Sequence, residues 1–172
     1  MTRLSVLAVA VALFAVGCSS STSPSTTTPT NPTFTASISP SNEIPAITNA
    51  ESVISGNASI TMVTTKDAAG NVTAATATFV VNITGVPAGS SINIAHIHEC
   101  VNTCNGSIVV NTTLAAGEVT ITNGVASFTK ANLTVDPAVA QRILNNPAGF
   151  YFNVHTTLNP GGVARGQLQR VS

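Results

Sequence analysis

Six basic and six acidic side chains in 172 residues, 7% charged in all, exclude the basic surface that nucleic acid or an anionic membrane would require. With no tryptophan and a single tyrosine, aromatic platforms for stacking sugars or bases would have to be improvised. The length suits one domain, and the abundance of Ala, Val, Thr, Ser, Asn and Gly suits pleated sheets joined by polar turns better than a helical bundle.

The N-terminus reads as an address. Arg3 precedes an apolar run over residues 4–16, too short to span a bilayer, and then Gly17-Cys18-Ser19-Ser20, the layout of a signal peptide over residues 1–17. Ala15-Val16-Gly17-Cys18 resembles a bacterial lipobox. That resemblance implies cleavage before Cys18 and acylation of its thiol and amine, with Ala15 standing where Leu is usual. Three acyl chains exceed what stable anchoring needs, and Ser19 in place of Asp points to the outer membrane or cell surface. Residues 18–32 then form a Ser/Thr/Pro tether without hydrophobic periodicity, a flexible spacer of roughly 2 nm root-mean-square.

Residues 33–172 are expected to fold as one unit. Phe34-Thr35-Ala36-Ser37-Ile38 alternates, and residues 41–45 make an irregular crossing. Long strands over residues 53–64 and 72–83 flank a hairpin loop at residues 66–71. Further strands are read over residues 92–99, 108–114, 118–122, 125–133, 149–156 and 163–171, with Asn123-Gly124 a two-residue turn. One helix is expected, capped by Asp136, opened by Pro137, running over residues 138–144 and ended by Asn145-Asn146-Pro147. Eight or nine short strands with one short helix make an all-β antiparallel sandwich of immunoglobulin-like or Greek-key type.

The chemistry concentrates in Ala95-His96-Ile97-His98-Glu99-Cys100-Val101-Asn102-Thr103-Cys104 and in Tyr151-Phe152-Asn153-Val154-His155. Residues i and i+2 of a strand share a face, so His96 and His98 point together, with Ile92 and Ile94 expected beside them. On the later strand Phe150, Phe152 and Val154 enter the core, leaving Tyr151, Asn153 and His155 opposite. If the two strands are neighbours, three imidazoles converge into a ligand set suited to copper or zinc. Glu99 is a remoter fourth candidate. The competing reading is architectural: imidazoles bonded across the sheet or to loop carbonyls. Cys100 and Cys104 can pair only if residues 101–103 turn, because an extended chain would hold their Cα atoms about 13 Å apart. The alternative is a thiol pair that joins a soft-metal site. Glu43 and Arg165, rare charges in so uncharged a chain, are expected to be partly buried and to contact one another or nearby carbonyls as a structural clasp.

Asn42-Glu43-Ile44-Pro45, Ala95-His96-Ile97-His98, Asn105-Gly106, Asn153-Val154-His155-Thr156 and residues 159–167 (NPGGVARGQ) together resemble the CHRD domain, repeated in the animal developmental regulator chordin and present alone in bacterial secreted proteins. The resemblance spans residues 34–171. It implies an immunoglobulin-like sandwich and an extracytoplasmic setting, but no established activity. Ala46 in place of a second proline and the Cys100/Cys104 insertion depart from the pattern. His96-Ile97-His98-Glu99 is also similar to the copper-strand motif of copper/zinc superoxide dismutases, whose bridging histidine and zinc loop have no counterpart here. With no nucleophile elbow and no phosphate loop, the expected role is a non-catalytic, membrane-anchored binding module for a protein or glycan partner. The alternative is a copper- or zinc-binding protein for storage or delivery, with superoxide dismutase-like redox chemistry behind it.

Overall fold

The computed structural model of the protein describes residues 31–172. The expected signal peptide, Cys18 and most of the expected tether lie outside the described residues. Among the described residues no helix is long and apolar enough to cross a membrane.

Alternation of apolar and polar residues produces ten strands: β1 Thr33–Ile38, β2 Ser55–Lys66, β3 Val72–Thr84, β4 Ile92–Glu99, β5 Ser107–Asn111, β6 Ile121–Thr122, β7 Val125–Val135, β8 Phe150–Thr156, β9 Ala164–Gln167 and β10 Gln169–Arg170. They form two sheets, one in the order β10-β1-β2-β3-β7-β6, the other β5-β4-β8-β9, with all pairings antiparallel. Inward side chains of both sheets fill the core, where the Phe79 and Phe152 rings lie 5.9 Å apart across the sandwich. Each such ring contributes about 2–3 kcal/mol through burial.

Local chemistry sets the connections. Asp67 Oδ1 accepts from the Ala69 and Asn71 amides and closes the β2–β3 hairpin. Asn123 and Gly124, at φ 52° and 76°, form the two-residue turn between β6 and β7 whose left-handed residues match strand twist. The helix α1, Pro137–Asn145, starts where Asp136 Oδ1 accepts from the Ala138 and Val139 amides, and it buries Ala140 and Ile143 against β3.

Four expectations are corrected. Ten strands are present among the described residues, not eight or nine, because the expected strand 163–171 is two: at Leu168 the chain leaves the four-stranded sheet and joins the six-stranded one. The expected strand 118–122 shrinks to Ile121–Thr122, since Glu118 accepts from the Ala115 amide and pairs with Lys130 in a turn. The expected strand 108–114 stops at Asn111, where the Asn111 and Thr112 side chains accept the next amides. Finally, Ile92 does not share the histidine face. A register slip between Ile92 and Ile94 sends Ile92 into the core and leaves Ile94 outside, 40% exposed.

Candidate metal centre

β8 is buried along its whole length, Phe150 to Thr156. Its inner face, Phe150, Phe152 and Val154, enters the core, while Tyr151, Asn153 and His155 occupy the outer face. β4 lies beside it, pairing His96 with Asn153, His98 with Tyr151 and Ile94 with His155. Two segments cover this outer face. Residues 39–47 cross it, held where Ser39 and Arg165 exchange backbone hydrogen bonds at 3.1 and 3.3 Å and where Asn42 Nδ2 donates to Arg165 O. The loop over residues 100–106 is tied to that crossing by Asn105 Nδ2 donating to Ile44 O at 2.9 Å.

The three histidines meet under this cover. His96, His98 and His155 are 5%, 8% and 7% exposed, and one ring nitrogen from each lies within 4.8 Å of the others. Two of the rings are fixed from behind by backbone carbonyls: His98 Nδ1 lies 2.9 Å from Gly106 O, and His155 Nδ1 lies 2.9 Å from Pro160 O. A carbonyl only accepts, so each Nδ1 carries the proton and each Nε2 presents a lone pair. His98 Nε2 is buried without a hydrogen-bond partner. His155 Nε2 faces His96 Nδ1 at 3.2 Å. Burial, and then the neighbouring His155 and His98, push His96 down to about 4. Burial likewise lowers His155 against the opposing effect of the Pro160 bond, with His98 a smaller cause. His96 and His155 are therefore neutral at physiological pH, the state that binds metal.

The two carbonyls are themselves supported. The Gly106 amide donates to Tyr151 Oη at 3.2 Å, and the Tyr151 ring stacks on His98 with centroids 4.8 Å apart. Pro160 belongs to the turn anchored by Asn159, whose Nδ2 donates to Glu51 Oε2, the same oxygen that accepts from Thr156 Oγ1 at 2.6 Å. Glu51 is fully buried and gave no signal in the sequence.

Cys100 and Cys104 form a disulfide with Cα atoms 6.0 Å apart, the intervening turn closed by the Cys104 amide on Val101 O. Glu99 is engaged elsewhere, in a two-bond pair with Arg142 of α1 at 2.9 and 2.8 Å. Arg165 and Glu43 are both buried, with Nε and Oε2 3.8 Å apart. Arg165 also donates to Asn42 O at 2.6 Å, Cys104 O at 3.1 Å and Asn105 Oδ1 at 2.9 Å, and its guanidinium lies 4.6 Å from the Tyr151 ring centre. It thus joins both covering segments to β9. Burial pushes Glu43 up to about 7, against the opposing pull of Arg165 and then of the Asn153 amide.

Ligands about 2.1 Å from a common ion in tetrahedral geometry sit about 3.4 Å apart, so the imidazole nitrogens, within 4.8 Å of one another, would close by up to about 1.4 Å to hold copper or zinc. A proton on Nδ1 committed to a carbonyl, with Nε2 free, is the usual outer-shell arrangement of a metal-binding histidine.

A family model described as the CHRD domain matches residues 34–168, a span that includes Glu43, all three histidines, the disulfide and Arg165. Comparison with the curated proteins and with the solved structures finds no match. The matched span runs from β1 through β9, essentially the whole sandwich. On that evidence the chain belongs to the CHRD domain family.

Proposed function

We propose that this CHRD domain is a binding module whose ligand is a copper or zinc ion held by His96, His98 and His155. The observation that carries the reading is the buried, unpartnered Nε2 of His98, facing a cluster in which the opposite nitrogens of two rings are already committed to carbonyls. A purely architectural histidine would be expected to use both nitrogens, since a buried polar atom left without a partner costs about 1–3 kcal/mol. A bound cation would supply the missing partner. The near-absence of solvent exposure favours storage or delivery of the ion over turnover of a substrate.

The disulfide supports an oxidising compartment. The leader sequence supports attachment to a membrane through lipid on Cys18, with the domain outside the cytoplasm. A protein partner that receives or delivers the ion fits that setting. Elemental analysis of the purified protein after titration with copper and with zinc tests the reading. The expected result is one ion per chain in the wild type and loss of it in both His96→Ala and His155→Ala. A folded wild type that retains no metal would refute it.

A further inference from the structure

Asn153 lies on the histidine face of β8, 2% exposed, with Oδ1 3.0 Å from His155 Nε2. Both atoms are acceptors. His155 Nε2 has no proton to give, because Nδ1 holds it for Pro160 O. Nor can the Asn153 amide turn over without loss. Its Nδ2 lies beside the Glu43 carboxyl, whose oxygens accept from it. Gly162 backs onto both groups, since a Cβ there would lie 2.8 Å from both Asn153 Nδ2 and Glu43 Oε1, and only glycine leaves them this room. Two lone pairs are therefore held face to face, with His96 Nδ1 3.2 Å from the same His155 nitrogen. Such an arrangement is stable only with a cation, or a proton supplied by His96, in the gap.

We infer that Asn153 Oδ1 is a fourth ligand, so that the site is a closed set of three nitrogens and one oxygen. The inference rests on the metal-binding reading above and deepens it. The proton that His96 Nδ1 places in the gap in the metal-free protein moves to the ring's other nitrogen when the ion enters, so the ring stays neutral. Structural zinc sites are closed and four-coordinate, whereas catalytic sites keep a position for water or substrate. A fourth protein ligand therefore assigns this domain to holding an ion rather than to reacting upon it. The Glu43 carboxyl, beside the Asn153 amide nitrogen, acts as a positioning residue, turning the amide so that oxygen, not nitrogen, meets the ion.

The test uses cobalt(II) as a spectroscopic stand-in for zinc, on the wild type, Asn153→Ala and Asn153→Asp, with sodium azide as the added ligand. The wild type should show a four-coordinate visible spectrum that azide leaves unchanged. Asn153→Ala should bind cobalt at least tenfold more weakly, the loss typical even of an outer-shell partner, and its spectrum should shift with azide. Asn153→Asp, which keeps an oxygen in place, should resist azide as the wild type does. A wild type that binds cobalt and also takes up azide, or an Asn153→Ala variant of unchanged affinity and spectrum, would overturn this inference while leaving the three-histidine site standing. A folded wild type that takes up no metal would overturn both.

Discussion

Replacing Arg165 with Met removes a guanidinium that is 1% exposed while keeping much of its stem. Three oxygens lose their donor: Asn42 O, Cys104 O and Asn105 Oδ1. Glu43 loses the nearest cation and stays buried. Hydrogen bonds from a charged donor contribute about 1.5–3 kcal/mol each, but loop carbonyls recover part of that from water once the cover loosens. Breaking a buried ion pair by removing one partner costs about 3–5 kcal/mol, and that range sets the expectation at about 4 kcal/mol. Urea denaturation of the metal-free protein at pH 8 measures it. In a domain of this size the loss lowers the melting temperature by roughly 10–15 °C. The double variant Glu43→Leu/Arg165→Met should recover at least about 1.5 kcal/mol of the loss, because no charge is then left buried. At saturating ion the metal stoichiometry of Arg165→Met should not change, since the partners of Arg165 are carbonyls, an amide and Glu43 rather than histidines, although a looser cover should release the ion faster. A loss under about 1 kcal/mol in the single variant would show that the clasp is ornamental and that the covering segments are held by something else.

Two further outcomes are expected of the metal-free protein. Glu43, raised to about 7 in the fold, stabilises it at low pH, and that contribution disappears as pH rises from 4.5 to 7; His96, lowered to about 4, stabilises it above 6.5, and that contribution disappears as pH falls toward 4. The two slopes oppose one another between pH 4.5 and 6.5, so Glu43→Gln should make stability rise more steeply with pH there, by up to about 1.4 kcal/mol per pH unit, and urea midpoints that superimpose on the wild type would contradict the assignment. Gly166→Ala should cost more than about 3 kcal/mol, since a Cβ would overlap the carbonyl of Ser37 in β1, whereas Gly161→Ala, with open space around it, should stay within about 0.5 kcal/mol. Equal melting temperatures for those two would refute the close β1–β9 approach.

Period-two alternation made much of the site legible in the sequence. It placed His96 with His98 and Tyr151 with Asn153 and His155, and the two rows meet because β4 and β8 are neighbours. What alternation cannot carry is a slip. Ile92 and Ile94 look equivalent, and only the irregular pairing with β8 puts one in the core and one outside. The C-terminal run fails for a related reason. Residues 163–171 read as one strand, but the Leu168 amide bonds to Phe150 O and the chain then crosses to β1. The charges of Glu43 and Arg165 stood out by rarity. Asn153 did not, being one asparagine among many, although its position between two site residues on the histidine face was visible. Glu51 could not be found, since nothing local marks a carboxylate whose partners are Thr156 and Asn159, more than a hundred residues away.

The carbonyls behind His98 and His155 belong to different parts of the chain, and each is held by its own network. Gly106 depends on Tyr151 and on the disulfide-closed loop, while Pro160 depends on Asn159 and Glu51. Moving either carbonyl frees a ring to rotate, so on the metal-binding reading affinity for an ion would depend on these turns as well as on the imidazoles. Residues 39–47 lie over both, and the exposed bond from Asn105 to Ile44 is the point where the two halves of the cover meet. On the metal-binding reading, an ion reaches the cluster by opening of that cover, and once inside it would stabilise the closed state by about 2.7 kcal/mol at a free concentration one hundred times its Kd. Opening and release are thus one event. On the metal-binding reading proposed above, a site built this way would hold its ion until something else loosened the cover, as a carrier or a store does.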